Sequence, residues 1–181
     1  MMSIRNKRRT IGAVMTEFSA AMVVFICLFL IPLIDIGVIP IRYFMAQGVL
    51  NDTAVKLALC EKRSAAYDIL LEDIQWRALL EKVGVHVKGA KLNLLIVSQN
   101  TTSQSVVKRN QQVQPEWLPQ GTKAPCVYTL EMAAQCDIAP LVSTRAGIPG
   151  LTGPMRFVIT SRAQWENMGR DPKSGEYYIN E

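Results

Sequence analysis

The residues best placed to do chemistry gather at the start of the chain. Gly12 closes a stretch that holds Arg5, Lys7, Arg8 and Arg9 and no acid. Five residues on stands Glu17, followed by Phe18, and no further charge appears until Asp35. A glycine offers a protease an extended, unobstructed backbone, so the Gly12–Ala13 bond is the candidate for hydrolysis. Cleavage there would place a new amino group on Ala13, about one helical turn from Glu17. An acid at the edge of an apolar run is costly enough to need a reason, and that amine is a natural partner for it.

Elsewhere the chemical signals are weak. His86 is the one histidine. It lies between two valines, with no carboxylate–His or Cys–His spacing around it, so neither metal binding nor acid–base catalysis is expected there. No Gly-x-Ser-x-Gly nucleophile motif occurs. Gly147, Gly150 and Gly153 lack the preceding strand and following helix that a phosphate loop needs. Trp76, Trp117 and Trp165 follow no pattern, and packing is their default role. The expectation is no enzyme activity, no cofactor and no metal. Asp35 keeps two readings open: an interfacial acid near one membrane face, or a polar contact between helices packed in an assembly.

The elements that must position these residues follow from composition. Hydrophobic residues make up 49% of the 181, and they concentrate in residues 18–41, interrupted by Asp35. A bilayer core needs about 20 apolar residues in a helix, so this run can span it. A signal peptide would carry an apolar region of only about 7–15 residues, ending in an Ala-x-Ala type site. No such site follows this run. Ile26 before Cys27 does not suit a lipoprotein signal. The net charge of +5 is not a nucleic-acid signature: the first twelve residues supply four basic side chains, leaving 16 basic against 15 acidic in the rest. The basic cluster reads as the cytoplasmic flank of a single-pass helix, with everything after Arg42 outside. Cys60, Cys126 and Cys136 then lie in an oxidising compartment. Cys126 and Cys136, flanking a short apolar segment, are the expected disulfide, against the alternative of three buried thiols.

Past Arg42 the apolar residues thin to a helical stripe of Leu50, Ala54, Leu57 and Ala58. Tyr67, Leu70, Leu71, Ile74 and Ala78 continue a stripe after a polar break at 61–64. This second helix is expected to end near Lys82, with Gly84 as its stop. Val83, Val85 and Val87 then alternate with polar residues, and 92–97 is a second apolar run. The two read as a hairpin turning at Gly89. Residues 99–125 read as a long polar loop, 126–132 and 155–162 as strands, and the tail from Asn167 as a mobile polar segment. Between the last strands, residues 138–154 are apolar but rich in Pro and Gly. Ile148 and Leu151 there are expected to contact a partner. The fold class is α+β: a long N-terminal helix with a transmembrane half, then a helix and a small antiparallel β-sheet. The expected divisions are 1–12 as leader, 13–42 as transmembrane helix, 43–82 as helical region and 83–181 as a β-rich domain.

Gly12 with Glu17 at that spacing resembles the class III leader of the pilin superfamily. Glu17-Phe18 is similar to the Glu-Phe pair of TadE-like pseudopilins of the Tad (Flp) pilus system. Pro32 and Asp35-Ile36-Gly37 resemble the later part of that family's signature. Thr16 departs from the more usual aliphatic residue before the glutamate. The resemblance covers about residues 5–45, roughly a quarter of the chain. It implies a minor pilin or pseudopilin of the bacterial inner membrane, cut by a prepilin peptidase after Gly12. Its N-terminus would be cytoplasmic and its C-terminal domain periplasmic. It also implies as partners the major Flp pilin, other TadE/TadF-like pseudopilins and the inner-membrane platform proteins, and it implies that Glu17 pairs with the Ala13 amine of a neighbouring subunit. The alternative is a membrane-anchored periplasmic binding or sensory domain.

Overall fold

A computed structural model describes residues 3–142, 147–149 and 152–180, with side chains from Val14 onward. The chain is α+β, with a long N-terminal helix, two short helices and a four-stranded antiparallel sheet. The helix runs as α1 (Ser3–Phe25), a π-helical turn (Ile26–Leu30) and α2 (Ile31–Ala58). The π turn has a local cause. Pro32 has no N–H to give the carbonyl four residues back, and the Ile31 N–H reaches Ile26 O, five residues back. From Val14 to Ala58 the helix is long and apolar enough to cross a membrane.

Two compact units divide the chain. One comprises Met1–Ile41 and Ala139–Met155. The other comprises Arg42–Ile138 and Arg156–Glu181. In the second unit, the α2 stripe of Ala46, Leu50, Ala54, Leu57 and Ala58 is buried, as its period requires. The next helical stretch is broken in two, α3 (Arg63–Glu72) and α4 (Gln75–Lys82). Asp73 is extended and its carboxylate accepts from the Gln75 N–H at 2.8 Å, an Asx turn that restarts the helix in a new phase. Tyr67, Leu70, Trp76 and Leu80 are therefore buried, while Leu71 and Ile74 face outward. Gly84 ends α4 at φ +77°, a conformation that favours glycine.

The sheet order is β2-β1-β3-β4, with β1 Val85–Ser98, β2 Gln104–Val107, β3 Cys126–Ile138 and β4 Met155–Gln164. No hairpin turns at Gly89. β1 is one strand paired with β3 along its whole length, from Val85↔Ile138 to Ser98↔Cys126, with a bulge between Val87 and Gly89. The extra residue flips the parity of the strand. Val85 points inward before the bulge, and Leu92, Leu94 and Ile96 do so after it. From β3, Tyr128, Leu130, Met132, Ala134 and Cys136 face the same core. The tail from Asn167 is packed rather than mobile: Ile179 is fully buried. Val113 N–H donates to Asn180 Oδ1 at 2.7 Å, and Arg63 N–H to Tyr178 O at 3.2 Å.

Candidate functional site

Within the first unit, the backbone of Gly12 and Ala13 lies inside α1. Hydrolysis of that bond therefore requires local unwinding, and a helical glycine lowers the cost by about 1 kcal/mol relative to alanine. Glu17 follows one turn after Ala13 and is exposed, as is Phe18 at 63%. The structure thus places Ala13, Glu17 and Phe18 on one helix at the start of the apolar run.

Asp35 is 1% exposed. Its Oδ1 accepts from the Leu141 N–H at 2.7 Å and the Val142 N–H at 3.3 Å, both in the segment between β3 and β4. Its Oδ2 is buried with no hydrogen-bond partner. Backbone N–H groups that converge on a carboxylate make strong, short bonds, so this acid fastens the segment Ala139–Met155 to the helix of its own unit. The contact is with the chain's own backbone. The α2 residues that share its face confirm a covered stripe: Ile31, Pro32 and Val38 are partly buried and Ile39 is buried, whereas Leu33, Ile34 and Ile36 are exposed. Sequence reasoning did not single out Leu141 and Val142. The available signal was an acid inside a span, which demands donors, and a Pro-rich segment that leaves its N–H groups outside regular structure.

Ile148 is 64% exposed. Leu151, its companion in the expected contact loop, lies outside the described residues.

The disulfide expectation is overturned. Cys126 and Cys136 begin and nearly end the same strand, pairing with Ser98 and Val87 of β1 respectively. Ten residues of strand separate them by about 33 Å, while a disulfide needs Cα atoms within about 7 Å. Both are free thiols. Burial, reinforced by the adjacent Asp137 charge, pushes the Cys136 thiol up to about 11. Burial also raises Cys126, with Lys123 opposing it, and raises Cys60. Raised thiols are poor nucleophiles at neutral pH.

In the second unit the polar side chains brought together serve structure. Arg63 is buried; Nη2 donates to Gln111 O at 2.8 Å, Nη1 has no partner, and desolvation pulls its pKa down against the field of Tyr67. Tyr67 donates to Leu92 O at 3.0 Å, and burial pushes its pKa up. These bonds tie α3 to the loop after β2 and to β1. His86 is exposed and stands opposite Asp137, whose carboxylate is held by Arg156 at 3.3 Å and Lys88 at 3.6 Å. Among the described residues no group of three or more His, Cys, Asp or Glu side chains could hold a metal.

Comparison with protein-family models, with characterised proteins and with solved structures gave no match.

Proposed function

We propose that this chain is a TadE-like minor pilin or pseudopilin that takes part in assembling a Flp-type pilus. A prepilin peptidase removes the leader after Gly12, and the inner membrane holds the mature chain by one helix with the remainder in the periplasm. The observation that carries this reading is the entry motif: a basic leader, Gly12, and Glu17-Phe18, set one turn ahead of an apolar helix. The α+β architecture agrees with it, because the C-terminal end of that helix supplies buried core residues Ala46, Leu50 and Leu57 to the unit that holds the antiparallel sheet. The partners in this reading are the major Flp pilin, related pseudopilins and the platform proteins. In this reading Glu17, which is exposed, pairs with the Ala13 amine of a neighbouring subunit.

The test is the mass of the protein extracted from membranes of cells with an active prepilin peptidase. The expected product begins at Ala13, and Gly12→Trp leaves the precursor uncut. A chain that retains Met1 in those cells ends the proposal and leaves a single-pass anchored domain of another kind.

A further inference from the structure

We infer that Leu141, Val142 and Ile148, between β3 and β4, form a membrane-surface contact and enter the outer leaflet of the bilayer beside the anchoring helix. This inference rests on the reading of that helix as a membrane anchor.

Depth comes first. A hydrocarbon core about 30 Å thick takes about 20 helical residues at about 1.5 Å each. Counted from Phe18, the first residue past the last acid, the core ends near Gly37, and Asp35 sits about 3 Å inside that boundary. The Leu141 and Val142 N–H groups are within hydrogen-bonding distance of Asp35. Their backbone therefore lies at the same depth as the end of the span, and the segment belongs to the same compact unit as the helix.

Five N–H groups among the described residues of the segment are paired within the chain. An unpaired N–H is expensive in a place with little water. Leu141 and Val142 donate to Asp35, Ile148 donates to Thr152 Oγ1 at 3.1 Å, and Thr152 and Gly153 both donate to Ile148 O, at 3.0 and 2.9 Å. Pro140, Pro149 and Pro154 have no N–H to satisfy. The side chains carry the same message: Leu141 is 56% exposed, Val142 44% and Ile148 64%. From Ala139 to Met155 the sequence contains one charged residue, Arg145. Apolar side chains exposed at the level where an apolar helix meets the interface find their apolar environment in lipid. Leu33, Ile34 and Ile36 of the helix, in the same unit, are exposed near the same depth.

The experiment uses the full chain reconstituted alone in phosphatidylcholine vesicles, with fluorescence of added tryptophans measured above the background of Trp76, Trp117 and Trp165. Leu141→Trp and Ile148→Trp change exposed positions, so the fold tolerates them; Leu28→Trp, in the middle of the span, serves as control. Lipids brominated near the headgroup should remove the added emission of Leu141→Trp and Ile148→Trp, and lipids brominated deep in the chains should remove that of Leu28→Trp. Quenching at positions 141 and 148 by aqueous acrylamide instead, with Leu28→Trp still quenched by lipid, overturns the inference and leaves the anchor intact. Shielding at 141 and 148 from both quenchers also overturns it, because a second copy of the chain then covers the segment. A control tryptophan at 28 that no brominated lipid quenches removes the anchor reading, and the inference with it.

Discussion

Replacing Asp35 by alanine removes the one acceptor that Leu141 and Val142 share. The bond from Leu141, at 2.7 Å, is short and made to a carboxylate; that from Val142, at 3.3 Å, is long. A hydrogen bond to a charged group contributes about 1.5–3 kcal/mol, and the two together are worth about 2–3 kcal/mol on this geometry. The buried Oδ2, which has no partner, is lost as well. Loss of that unpartnered atom offsets part of the cost, while the two N–H donors left without an acceptor add to it, so global stability falls by about what the bonds are worth. Amide hydrogen exchange reads the bonds directly. With about 1.4 kcal/mol per tenfold, the Leu141 and Val142 amides should exchange roughly 30- to 150-fold faster in Asp35→Ala. Asp35→Asn keeps an acceptor at Oδ1 but not its charge; its bonds are worth about half as much, and the same amides should exchange only several-fold faster. The Ile148 amide, which donates to Thr152 Oγ1, should be unchanged in both variants and serves as an internal control. Unchanged exchange at Leu141 and Val142 in the alanine variant would show that Asp35 does not hold this segment.

Three further outcomes are expected. Leu50→Ala, at a fully buried position of α2, should cost about 2–5 kcal/mol in denaturant unfolding of the full chain, whereas Leu59→Ala, 76% exposed, should change it by under about 0.5 kcal/mol. The Cys136 thiol is raised in the folded state from 9.0 to about 11, so the proton it holds favours folding fully below pH 9, and that contribution should fade as pH rises from 9 through about 11. Cys136→Ala should abolish that part of the pH profile, and dithiothreitol should leave the stability of the wild-type chain unaltered, since the thiols are free. If the proposed pilin reading holds, Glu17→Gln should leave leader cleavage and membrane insertion intact and prevent incorporation into the pilus complex, because losing one partner of a buried pair costs about 3–5 kcal/mol. Normal piliation with that variant would mean the pair is solvated, where it is worth roughly 0–1 kcal/mol and decides nothing.

Features set by neighbours along the chain could be read from the residues alone. The apolar run of 18–41 marks a helix that can span a bilayer because its length is fixed by rise per residue. Leu50, Ala54, Leu57 and Ala58 are buried together because a period of 3.6 puts them on one face. Gly84 ends α4 at positive φ for the same local reason. The entry motif around Gly12 and Glu17 is likewise a matter of spacing. The tertiary structure alone decided whatever depends on a distant partner. Asp35 needs donors, but only folding brings residues 141 and 142 to it across more than a hundred positions of sequence. Cys126 and Cys136 look close in sequence, and strand β3 holds them far apart, because an extended chain converts every intervening residue into length. The two alternations before and after Gly89 are out of phase, which is the trace of a bulge as much as of a turn; continuous pairing with β3 selects the bulge. The tail from Asn167 is polar in composition, yet Ile179 is buried and Asn180 receives the Val113 N–H, since a polar segment is held as firmly as an apolar one once its hydrogen bonds are met within the fold.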